Sequence, residues 1–255
     1  MSMRWDDHFL AWERVYRDPG PACFNGLQAA RKRVATNTRE DWMWLADALG
    51  DVRRKFFVAM VFRLQSVPRR LLAALICAGV SELNPSTNQY YIRPCVRTFG
   101  TKEVVTRLLR IVEVGSNEEQ CGAVSALYWA YGNERDDDLS ELRERRQRLL
   151  LMRFIENDDV NLRRRILPAL SFNADKYPAE LQPLVATAMA IARAHPDAYI
   201  RHRIGVQTGE GGPLMPLPSM RAAVDGRAGM SFAASSVPSS ASHDWSLNYS
   251  TRVLE

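Results

Sequence analysis

The chain has 255 residues, 46% of them hydrophobic and 25% charged, with a formal net charge of +5. These proportions exclude a collagen, a wholly disordered chain and a disulfide-stapled miniprotein, and fit a folded protein of one or two domains or one short repeat array. Four of the 34 basic residues are Lys, which leaves 30 Arg, a bias that suits bidentate contacts to carboxylate or phosphate but also follows from base composition.

In chain order, Trp5, Phe9, Trp12 and Tyr16 recur at helical spacing, so residues 3–16 are expected to form an amphipathic helix. Asp18-Pro19-Gly20-Pro21 ends it, and a second helix is expected over 24–34. Residues 1–37 then read as an N-terminal helical cap. From 38 to 208 the periodicity is helical, and β-branched alternating runs and Asn-Gly or Asp-Gly turns are missing. Thr38 is placed as the N-cap of a helix to Leu49, Gly50 and Asp51 as the turn, and 52–64 as its partner.

The same unit returns. Pro68 opens 69–80, Asn84-Pro85-Ser86 starts a helix to Phe99, and Thr101 caps 102–114. Ser116 to Glu119 opens a helix that closes near Gly132. Helices over 139–155 and 160–172 flank Asn157-Asp158-Asp159, with a kink or break at Pro168. Helices over 180–194 and 198–207 flank His195-Pro196-Asp197. Second helices therefore begin near 51, 84, 117, 158 and 197, in steps of 33, 33, 41 and 39 residues. That period suits an α-solenoid, although an ordinary helical domain gives similar spacing.

The turns carry a family resemblance. Asp51-Val52-Arg53-Arg54, Asp159-Val160-Asn161-Leu162-Arg163-Arg164 and Asp197-Ala198-Tyr199-Ile200-Arg201 resemble the Asp-x-x-Val-Arg signature of HEAT repeats. The second unit has Asn84 and Arg93 at looser spacing; the third has Asn117-Glu118-Glu119-Gln120 and lacks the Arg. The resemblance covers 38–208. It implies an all-α fold, a right-handed α-solenoid of about five HEAT-like helix pairs, with acids that cap second helices, Arg ladders between repeats, and a binding or scaffold role. From Gly209 the composition shifts to Gly, Pro, Ser and Ala, so 209–255 is expected to be a disordered tail, with Trp245 and Tyr249 as a weak docking motif.

Enzyme motifs such as H-E-x-x-H, G-x-S-x-G and Walker A are missing. His195 and His202 lack a third ligand, the cysteines have no zinc-ligand spacing, and neither a metal nor a cofactor is expected. Arg54, Lys55, Arg164, Arg165 and Arg203 fall at equivalent starts of second helices. Stacked, they would line a groove for a phosphate backbone or an acidic peptide; alternatively they pair with Asp51, Asp158, Asp159 and Asp197. Tyr128 and Tyr131, with Trp129, Tyr90 and Tyr91, are candidates for an aromatic patch. A subgroup of HEAT-like proteins, the alkylpurine DNA glycosylases, uses groove Trp residues and a carboxylate. That resemblance would give Trp44 and Asp47 catalytic roles; the simpler reading has Trp44 in the core and Asp47 in solvent. A non-enzymatic scaffold with a protein partner is the leading expectation, a nucleic-acid binder the alternative. No signal pattern or membrane-length apolar run occurs, which points to the cytoplasm.

Overall fold

The structure, a computed structural model, describes residues 3–16, 22–82, 84–131 and 139–210, all within one compact unit, Met1–Pro213. The expected turn at 18–21, the close of a helix near Gly132 and the tail from 211, with Trp245 and Tyr249, lie outside the described residues. Among those described there are twelve α-helices and no strand. They are α1 (Trp5–Tyr16), α2 (Ala22–Arg33), α3 (Arg39–Gly50), α4 (Lys55–Phe62), α5 (Leu72–Val80), α6 (Gln89–Phe99), α7 (Thr101–Val114), α8 (Asn117–Ala130), α9 (Ser140–Glu156), α10 (Val160–Ile166), α11 (Gln182–Ala194) and α12 (Ala198–Thr208).

Local chemistry sets the helix starts. Thr38 with Asp41, and Ser116 with Glu119, form reciprocal capping boxes, each satisfying two helix-end donors. Asp159 and Asp197 cap α10 and α12 by accepting the amides of Leu162 and Ile200; loss of such a cap costs about 1 kcal/mol. Asp51 differs. Its Oδ1 accepts the amides of both Arg53 and Arg54, at 2.9 and 2.8 Å. This holds a turn over 51–54, so α4 starts at Lys55 instead of residue 52. The break expected at Pro168 is present: α10 ends at Ile166, and residues 167–169 form a 3-10 turn.

Consecutive helices pack as pairs: α1 with α2, α3 with α4, and so on to α11 with α12. The pairs also stack in chain order. First helices α1, α3 and α5 adjoin successively, as do second helices α2, α4 and α6; α7, α9, α11 and α8, α10, α12 repeat the arrangement. The protein is therefore helical repeat-like. Side chains from neighbouring pairs satisfy the carbonyls that helix ends leave open. Arg31 of α2 donates to Met60 and Val61 at the end of α4, and Arg97 of α6 donates to Phe62, Arg63 and Gln65. Arg153 donates to Val112 and Glu113 at the end of α7, and Gln207 to Leu167 and Leu170 after α10. The core behind them is apolar, with Phe57, Phe62, Leu75, Leu108, Leu127 and Phe154 essentially inaccessible; burial of each such side chain contributes about 1.5–3 kcal/mol.

The two three-pair blocks meet at an irregular joint. Gly100 alone separates α6 from α7, with φ at +83°, a region where a β-carbon is strained. Thr101 is thus the first residue of α7, and the expected Thr cap is replaced by this glycine. At the joint α8 packs against both α5 and α6. Gly122 permits the approach: a β-carbon there would stand 1.9 Å from the carbonyl oxygen of Val80.

Candidate binding cleft

The first turns of α8, α10 and α12 lie side by side, and side chains bridge them across pairs. Asn157, which precedes α10, donates to Asn117 Oδ1 at 2.8 Å. Arg164 of α10 grips the α12 cap, with Nε 3.2 Å and Nη2 2.5 Å from the two Asp197 oxygens. These bonds, and the accepted amide of Ile200, hold the Asp197 carboxyl below its ordinary range, and the same pair raises Arg164.

Between the three helices is an open cleft of about 800 Å³. α8 contributes Asn117, Glu118 and Cys121; α10 and its cap contribute Asp159, Asn161, Arg164 and Arg165; α12 contributes Tyr199. Two acids and two bases line it, and Arg164 is already neutralised by Asp197. Arg165 is exposed and has no ion-pair partner among the described residues. Burial, then the nearby Asp159 carboxylate, push the Cys121 thiol above its ordinary value. It is a protonated, weakly reactive group at neutral pH. Hydrogen-bonding edges, balanced charge and a 43% exposed tyrosine ring at Tyr199 suit recognition of a mixed polar surface.

The other residues singled out in the sequence are distributed differently. Arg163, adjacent to Arg164, is buried; it donates to the Phe154 and Ile155 carbonyls and pairs with Asp158 at 2.9 Å. Lys55 is also buried, 3.2 Å from Glu82 and against the Tyr91 ring, so it faces the turn between α5 and α6. Arg54 is held by Asp51 at 3.5 Å and stands 5.5 Å over the Trp44 ring. Arg203 is half-buried on α12 and is not part of the cleft lining. Tyr128 is 73% exposed on α8, edge-on to Trp129. Tyr131 follows α8, its hydroxyl 3.5 Å from the Leu142 carbonyl and its ring under Arg146.

Trp44 joins α3 to α1: its Nε1 donates to Asp6 at 2.9 Å and its ring stacks on Trp5 at 6.0 Å. Asp47 is exposed three residues further on. Trp44 is thus engaged on both its polar edge and its face. Among the described residues no three His, Cys, Asp or Glu side chains gather as a metal site, and no helix is long and apolar enough to cross a membrane.

The sequence reading missed Asn117, Glu118, Cys121, Asn161 and Tyr199. A positional signal existed: four of these five stand one or two residues after an N-cap, at Ser116, Asp159 or Asp197. Such positions project from the first turn beside the cap. Comparison with protein-family models, with curated proteins and with solved structures finds no match to any of them.

Proposed function

We propose that the chain is a HEAT-like, right-handed α-solenoid that works without catalysis, as a binding or scaffold protein holding a protein partner in the cleft of α8, α10 and α12. The observation that supports this is the cleft itself: consecutive second helices present Arg165 and Tyr199 exposed, beside unsalted polar edges and two carboxylates. Arg and Tyr are favoured anchors of protein interfaces. The carboxylates of Glu118 and Asp159 oppose a phosphate chain but complement the mixed charges of a protein surface. Cys77, Cys95 and Cys121 are free thiols, which suits a reducing compartment, and we assign the protein to the cytoplasm.

The test compares wild type with Arg165→Glu/Tyr199→Ala, two exposed positions whose replacement leaves the core intact. Quantitative cross-linking in cell extract identifies partners, and calorimetry on the purified pair measures affinity. A partner should bind the double variant at least about tenfold more weakly, one anchor residue being worth about 2 kcal/mol. Partners retained equally by both proteins would refute this role for the cleft.

A further inference from the structure

A second surface differs from the cleft in composition. On α4 and its C-cap, Phe56, Met60 and Arg63 share a face, and on α6 so do Tyr90, Arg93 and Arg97, by their three- and four-residue spacings. The two helices adjoin, and their side chains interlock across the boundary. Phe56 meets Tyr90 edge-on at 5.4 Å, and the Arg63 guanidinium lies 5.5 Å over the Tyr90 ring. Arg93 lies 4.7 Å over Trp129 of α8, which meets the exposed Tyr128 edge-on. On the other side Tyr16 extends the line, 5.7 Å from Phe56.

The charge on this strip is unbalanced. Several basic side chains elsewhere are answered by acids: Arg33 by Asp41, Arg53 by Glu13, Lys55 by Glu82, Arg107 by Glu103, Arg145 by Glu113. Arg31, Arg63, Arg93 and Arg97 have no carboxylate partner among the described residues. Arg31 and Arg97 donate to backbone carbonyls at the end of α4. Burial and the nearby charge of Arg63 pull Arg31 below its ordinary value, a sign that the cations crowd one another. Arg63, Arg93 and Arg97 are exposed.

We propose that this strip of α4, α6 and the end of α8 binds single-stranded nucleic acid. Uncompensated guanidiniums meet the phosphates, and the partly exposed rings with their stacked Arg planes receive bases. An acidic peptide would use the cations and leave the rings idle, so it is the less complete match. The proposal stands independently of the protein-binding cleft, which uses other residues.

The experiment is fluorescence anisotropy of the full chain with labelled mixed-sequence single-stranded DNA and RNA, across a salt series. Three exposed guanidiniums, Arg63, Arg93 and Arg97, predict a log–log salt slope of about −2, at about −0.7 per phosphate. Arg63→Glu/Arg93→Glu should weaken binding at least about tenfold at low salt. Tyr128→Ala should weaken it about fivefold or more with the slope unchanged. Arg165→Glu, in the cleft, should leave it unchanged. Absence of binding at low salt, an unchanged affinity in the double reversal, or equal affinity for a polyglutamate peptide would overturn the proposal. An equal loss in Arg165→Glu would do the same.

Discussion

Replacing Gly122 by Ala probes the joint between the two blocks. The added β-carbon would stand 1.9 Å from the Val80 carbonyl oxygen and 2.7 Å from its carbon. Both are backbone atoms at the end of α5, so no side chain can swing aside. α8 must retreat by more than about 1 Å, giving up close packing on both α5 and α6. Overpacking of this kind costs about 1–3 kcal/mol, and a backbone obstacle belongs at the upper end. Alanine regains about 1 kcal/mol of helix propensity, which leaves about 2 kcal/mol of net destabilisation. For a folded unit of this size that lowers Tm by about 4–8 °C. Gly50→Ala is the matched control: a β-carbon there meets nothing within 4 Å and φ is not positive, so it should be neutral or stabilising by up to about 1 kcal/mol. Urea titration followed by far-UV circular dichroism measures both. Gly122→Ala at or above wild-type stability would refute the close-approach argument.

Arg163→Met removes the donor to two α9 carbonyls and the Asp158 partner; about 2–3 kcal/mol should be lost, because the carbonyls stay buried. Arg164→Met breaks only a partly exposed pair and should cost clearly less than Arg163→Met; equal losses in the two variants would sink the distinction. His195 is buried, and its Nδ1 accepts the Asp197 amide at 3.0 Å. Burial first, then Arg163, lower its pKa below the ordinary 6.5. The unfolded chain therefore binds more protons just below pH 6.5, and this stabilisation is complete above pH 6.5 and lost as pH falls towards the folded value. His195→Asn keeps an acceptor without the titration, so its urea midpoint should fall less between pH 7 and about pH 5. His8, also lowered chiefly by burial, keeps part of the slope in that variant.

The helices were legible because their signals are local. Thr38, Ser116, Asp159 and Asp197 act as caps within three residues of the amides they accept. The apolar stripe Val104, Val105, Leu108, Leu109 and Val112 of α7 is buried as its spacing requires. The joint was not legible. Nothing in the local sequence distinguishes Gly122, a mid-helix glycine, from one that merely weakens a helix; its role comes from a carbonyl 42 residues away in the chain. The start of α4 departs from its expected position for a local reason. Asp51 Oδ1 accepts two successive amides at close range, and the turn this holds displaces the helix start by three residues.

The Arg clusters show what decides whether a charge is available. Counted from the cap, the fourth residue of three second helices turns back to nearby backbone: Gln120 to the Gly115 carbonyl, Arg163 to Phe154 and Ile155, Arg201 to His195 and Pro196. That side chain lies over the preceding turn, since helical side chains lean towards the N-terminus, where the open carbonyls of the previous helix are. The fifth residue of α10, Arg164, points along the row of caps and meets Asp197. The sixth, Arg165, is past both and reaches the cleft unpaired. Three consecutive identical residues therefore have three fates, fixed by a 100° rotation per position. Lys55, four residues after Asp51, instead reaches forward to Ser81 and Glu82 and is buried there, whereas Arg63, at the C-terminal end of α4, stays open to solvent.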